Sequence, residues 1–286
     1  MAPPSKGNAA GFHSMQIGIV DSTGICTGQV AGSDGVTSSM LRVRGGQSAS
    51  FNPVSPTNVE FNDADAVEGT MSFGGGHQGP FQVTVDRVDA DAIALANGSN
   101  VDITTNSFFT FFGTNPRNTM LPDMCMILTQ KFQSRVSASS GVTYYKNHII
   151  PVCQIRTLAG GLGHQAKQPW TFEVTPHFTS KFPNGVAFGA NQGWTDNETD
   201  ILWGIADYPI ALTYFQGDNA ETTFVAGFRP ISTVVTLGAT PNWYTEGGTP
   251  EALTSIVPAT GVATPDAAPG TGVKSVLIYH TEFEAI

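Results

Sequence analysis

In the stretch WTFEVTPHFTSKFPNGVAFG, Trp170, Phe172 and Val174 alternate with Thr171, Glu173 and Thr175. A two-residue period belongs to a half-buried strand. Pro176 interrupts the pattern, Pro183-Asn184-Gly185 turns the chain, and Val186-Ala187-Phe188 resumes it, so a strand, a reversal and a second strand are predicted. The same grammar recurs along the chain. Met15 to Val20, Ile25 to Val30 and Met40 to Val43 read as short strands between glycine-rich turns. Phe81, Val83 and Val85 alternate with Gln82, Thr84 and Asp86. The strand from Met124 to Phe132 is apolar at every position from Met124 to Leu128, which places it at the centre of a sheet, covered on both faces. Further strands are predicted at Phe108 to Phe112, Val142 to Tyr145, Ile149 to Arg156, Ile210 to Phe215, Thr223 to Phe228, Ser232 to Leu237 and Lys274 to Phe283.

Three segments break the pattern. Residues 1–12 read as a flexible arm. Residues 44–79 hold Pro53, Pro56, an acidic patch and Gly74-Gly75-Gly76, and read as a long loop or irregular hairpin. A loop of that length is ordinarily functional or ordered by a partner. Residues 239–272, rich in Thr, Pro, Gly and Ala, read as a loop or extended arm. One short helix is predicted, with Asp89 as N-cap, Ala90 to Ala96 as its body and Asn97-Gly98 as its stop. A dozen short strands with one short helix give an all-β, mainly antiparallel fold: two packed sheets forming a sandwich or barrel with one flanking helix and long loops. No repeat of fixed period is present.

Composition narrows the function classes. The chain has 286 residues, 40% of them hydrophobic, and 18 Phe, far too apolar for disorder. The 23 acids against 13 bases give a formal charge of −10. A protein that grips phosphates needs a basic surface, so specific nucleic-acid binding is not expected. An acidic wall would let DNA pass without sticking, although such a charge is also ordinary for solubility. The N-terminus lacks the apolar core of a signal peptide, no apolar run approaches a membrane span, and synthesis in a reducing cytosol is expected. Cys26, Cys125 and Cys153 match no metal or redox spacing. Cys125 and Cys153 lie in apolar runs and read as small core residues.

Candidate chemistry is sparse. Asp196, Glu198 and Asp200 alternate like calcium ligands, but the sixth position of the loop is Ile201, where a calcium hand needs Gly. Gly161-Leu162-Gly163 is followed by Pro169 and a strand, not the helix that a dinucleotide site requires. His13, His77, His148, His164, His177 and His280 show no metal-ligand spacing, and no nucleophile elbow occurs. Asp89 and Asp91 are better read as acids favoured at a helix start. No catalytic residue, cofactor site or metal site is nominated, and the chain is not expected to be an enzyme. The strongest candidate cluster is EFNDADAVE, where Glu60, Asp63, Asp65 and Glu68 occur with no Lys or Arg between them.

Three features together resemble a phage major tail tube protein of the long-tailed kind: the strand-to-helix unit FQVTVDRVDADAIALANGS (81–99), the strand pair GVTYYKNHIIPVCQIRTL (141–158) and the late turn FPNGVAFG (182–189). They cover about the middle third of the chain. The resemblance implies a single tail-tube-like β domain over 1–286, with the final strand, 273–284, returning to the core. It also implies hexameric rings, stacked into a hollow tube that conducts DNA without binding it specifically. The implied partners are the chain itself and other tail proteins, with no membrane and no cofactor, and the location is the virion tail. Glu60, Asp63, Asp65 and Glu68 would then line the lumen or a ring contact. The chain is long for that family, and the extra length falls in 190–272 as a decoration or subunit-contact insertion. Other readings are a capsid or decoration protein, a carbohydrate-binding sandwich using Trp170, Trp194, Trp203, Trp243 and Tyr244, and a hydrolase on a β scaffold. No long spine helix of the commonest phage capsid fold is present.

Overall fold

The computed structural model describes residues 7–20, 26–27, 38–43, 46–50, 57–63, 66–73, 79–85, 121, 123–134, 143–159, 169–177, 179, 181–182, 202–220, 222–233, 242–245 and 250–283. These residues form strands and no helix. The predicted helix 89–96 and the predicted strands 108–112 and 186–188 lie outside them.

In chain order the strands are β1 (Gly7–Val20), β2 (Cys26–Thr27), β3 (Ser38–Ser39), β4 (Leu41–Val43), β5 (Gly46–Ser50), β6 (Thr57–Asp63) and β7 (Ala66–Phe73). Then come β8 (Phe81–Val85), β9 (Met124–Ser134), β10 (Thr143–Ala159), β11 (Trp170–Pro176), β12 (Leu202–Ala206) and β13 (Ile210–Gln216). The last are β14 (Phe224–Val225), β15 (Asn242–Thr245), β16 (Pro250–Glu251), β17 (Leu253–Val257), β18 (Val262–Pro265) and β19 (Lys274–His280).

All described pairings are antiparallel. The largest sheet runs β2-β1-β9-β10-β11-β8-β5, with β4 beside β1 and β12 beside β10. It curls, so that β5 comes to lie against β1. Its inner face encloses a core that includes Met15, Ile17, Val83, Met124, Met126, Leu128, Ile155, Phe172 and Val174. A second sheet runs β16-β15-β19-β13-β3 and a third runs β14-β18-β17.

Strict alternation on two strands ties the three sheets together. On β9, Met124, Met126 and Leu128 point into the first core, while Cys125 and Ile127 point into a second core shared with Leu212, Tyr214, Tyr244 and Val276 of the second sheet. On β13, Leu212 and Tyr214 face that second core, while Ala211 and Phe215 face a third. The third core also holds Trp243, Leu277 and Tyr279, with Phe224, Leu253, Ile256 and Ala263 from the third sheet. Phe215, Phe224 and Trp243 form its centre, each ring centroid 5.0–5.1 Å from the others. Strands covered on both sides have no polar face to spare, which is why β9 and β13 read as continuous apolar runs.

Several expectations are corrected. The all-β, antiparallel class stands, but a third sheet is packed beyond the expected two. The arm predicted at 1–12 is strand from Gly7 onward, where β1 pairs with the far end of β9 (Gly7↔Ser134). The 44–79 segment holds β5 and the β6–β7 hairpin. The 239–272 segment, expected as a loop or extended arm, carries β15 to β18 among its described residues and supplies fully buried Trp243. Thr and Ala kept these strands from looking apolar, yet β15, β17 and β18 all carry buried positions. The strands described between 202 and 265 pair within all three larger sheets and pack into the second and third cores. The two strands expected at 142–145 and 149–156 are one, β10, which spends one edge on β9 and the other on β12 and then β11. The final strand is central in the second sheet, between β13 and β15.

Candidate functional site

The acidic candidates fall on one element. β6 and β7 pair from Thr57↔Phe73 to Asp63↔Ala66, so Glu60 lies opposite Thr70 and Asp63 lies at the hairpin tip. A register shift after Phe61 leaves Glu68 beside the irregularity. Asp65 lies outside the described residues, in the connection. Glu60, Asp63 and Glu68 therefore share one ribbon. That ribbon is a two-stranded sheet of its own, paired with no other strand among the described residues. The signal for β6 was present in the sequence: Val59 and Phe61 alternate with Asn58, Glu60 and Asn62. The surrounding prolines and glycines masked it.

The buried polar groups form two clasps between sheets. Asn147, 1% exposed on β10, accepts through Oδ1 from Thr129 Oγ1 of β9 at 2.9 Å and from the Ile210 backbone N–H at 3.2 Å. Its Nδ2 donates to the Tyr208 carbonyl at 3.5 Å, and Gln16 Nε2 of β1 donates to the Ile210 carbonyl at 2.9 Å. Side chains from three adjacent strands thus fix the point where the second sheet begins. The other clasp is the Tyr279 hydroxyl. It lies 3.1 Å from Thr213 Oγ1 and accepts from the Phe228 N–H at 3.0 Å. Burial pushes the Tyr279 phenol up to about 12, so it stays a neutral donor and acceptor.

The remaining candidates resolve into structure. Cys125 and Cys153 are both buried and free, but Cys125 faces the second core and Cys153 the first, on opposite faces of the sheet. Burial raises both thiols, Cys125 to about 12 with the Tyr214 hydroxyl 3.3 Å away. Neither is a nucleophile in the folded chain, since the thiolate is the reactive form. His148 is pushed down to about 4, by burial first and Lys146 second. Burial also lowers His280, against Asp207, which pulls the other way. His13 is lowered by burial, then by Arg42 and Lys131. Among the described residues no group of three His, Cys, Asp or Glu could hold a metal. The alternating acids at 196–200 and the glycines at 161–163, with His77 and His164, lie outside those residues.

Of the aromatics considered for sugar stacking, Trp243 and Tyr244 are buried in separate cores and present no ring to solvent. Trp170 is partly buried against the first core. Trp194 and the Trp203 side chain lie outside the described residues. Among the described residues no helix is long and apolar enough to cross a membrane. No protein-family model matches the chain, and no curated relative matches it.

Proposed function

We propose that this chain is a structural virion protein that assembles into hexameric rings, stacked as the tail tube of a phage and serving as a conduit for DNA. The observation that carries this reading is the β6–β7 ribbon, which pairs with no other described strand. A lone two-stranded hairpin is marginal in water, so a ribbon of this kind is best accounted for by contact with another subunit. Sheet edges must be protected or used, and closed rings of identical subunits use them. The low charge content and the net charge of −10 fit a conduit that DNA traverses without adhering. The partners are then other copies of the chain and other tail proteins, and no cofactor or catalytic step is involved.

In this reading Glu60, Asp63, Asp65 and Glu68 meet Lys or Arg of the adjacent ring, because an unpaired charge buried in an interface costs roughly several kcal/mol. Asp63→Asn with Asp65→Asn then weakens stacking and shortens tubes in a salt-dependent way, as measured by electron microscopy at low and high salt. Intact tubes that stall DNA would move the acids to the lumen. Unchanged tubes and unchanged DNA passage would make them solubility charges and remove the ribbon from the assembly.

A further inference from the structure

The described chain ends in an aromatic anchor that lies beyond the last strand and joins the third core. Thr281 is pinned three ways. Its N–H donates to the Pro209 carbonyl at 3.0 Å, its hydroxyl donates to the Arg229 carbonyl at 2.9 Å, and it bridges Pro230. Two residues later Phe283 is 6% exposed, with its N–H donating to Thr281 Oγ1 at 2.8 Å. Phe283 has φ +62°, a left-handed backbone that a bulky side chain adopts only when its surroundings enforce it. Three side chains meet its ring. Phe228 meets the Phe283 ring edge-on at 5.3 Å, the Arg42 guanidinium lies 4.1 Å from its centroid, and His13 stacks at 6.3 Å.

His13 sits where β1 slips register against β9. Phe12 pairs with Gln130 and Ser14 with Thr129, which leaves His13 as the extra residue of a bulge. Bulges re-aim side chains, and this one turns the imidazole between Phe283 and Tyr145, whose ring is 5.1 Å away in a T-shaped contact. We propose that Phe283 is the tip of a latch that holds the segment from Thr281 to Phe283 against β1 and releases Phe283 when His13 gains a proton.

The charges facing His13 decide the direction. Arg42 from β4 and Lys131 from β9 both oppose a third cation, and burial opposes it more than either. Tyr145 is neutral, with its hydroxyl raised by burial and by Glu282. Glu282, exposed beside the latch, is the one acid in the group. A protonated imidazole could gain from the Phe283 ring face, but Arg42 already occupies that ring. Release of Phe283 rehydrates His13, so the open form binds the proton more readily. Linkage then makes the latch strongest above the ordinary histidine range and progressively weaker as pH falls below it. Thr281 remains the pivot, because none of its three anchors titrates.

Hydrogen–deuterium exchange of the full chain between pH 7.5 and 5, corrected for intrinsic rates, reads the latch directly. Protection of the terminal peptide containing Phe283 falls several-fold toward pH 5, while β9 and β19 stay protected. His13→Gln flattens that profile, and Phe283→Ala removes protection at every pH. Carboxypeptidase trimming of the wild-type chain, faster at pH 5 than at pH 7.5 relative to a free peptide control, reads the same opening without any variant. A flat wild-type profile, an equal fall in His13→Gln, or a loss of protection spread over all peptides would overturn the proposal.

Discussion

At the residue scale, position in the sheet decides which polar contacts matter. Asn147 and the Arg156–Glu173 pair both join neighbouring strands, but they differ in solvent. Asn147 is buried and serves Thr129 and the Ile210 N–H. Arg156, with a side chain 61% exposed, lies opposite Glu173 across the β10–β11 pairing. Asn147→Ala strands buried donors and is expected to cost about 2–3 kcal/mol. Arg156→Ala is expected to cost under about 1 kcal/mol, as exposed ion pairs do. Urea unfolding of the two variants tests the ordering, and equal losses would contradict it. His148 makes a second prediction. Its folded-state value, about 4, lies below its ordinary 6.5, so the unfolded chain binds the proton first. Its contribution to stability is complete above pH 6.5 and is lost as pH falls toward 4. His148→Gln should reduce the slope of the denaturation midpoint against pH across that window, and an unchanged slope would exclude this role.

At the element scale, legibility followed burial symmetry. The two-sided apolar run of β9 and the alternation of β8 and β11 were readable because each position's polarity matched its face. β17 and β18 were not, since Leu253, Ile256 and Ala263 are separated by Thr, Ser and Pro in a segment whose composition resembles a loop. Their core contact is with β13 and β19, and packing against strands distant in sequence leaves no local trace. The bend beside them rests on Gly217. A Cβ there would come within 2.4 Å of the Pro269 carbonyl oxygen, so only glycine lets the two segments pass. The candidate site was legible as four acids in a long loop or irregular hairpin, and the choice between the two was hidden by neighbouring prolines and glycines. Replacing residues 57–73 with a short turn should therefore leave the three packed sheets folded and abolish assembly. Circular dichroism and sedimentation separate the two effects, and loss of folding would make the ribbon part of the subunit's own framework.

At the scale of the whole molecule, three cores are joined through doubly covered strands into one block. The β6–β7 ribbon stands apart from the sheets that hold the block together. Cores joined through shared strands, beside an acidic ribbon that no other described strand pairs, suit a building unit that meets identical neighbours through fixed surfaces. The assembly claim is tested most directly by negative-stain electron microscopy of the purified full-length chain at high concentration and moderate salt. The account predicts six-fold rings with a central hole, stacking into tubes. A field of featureless monomers, with sedimentation at the mass of one chain, would contradict it.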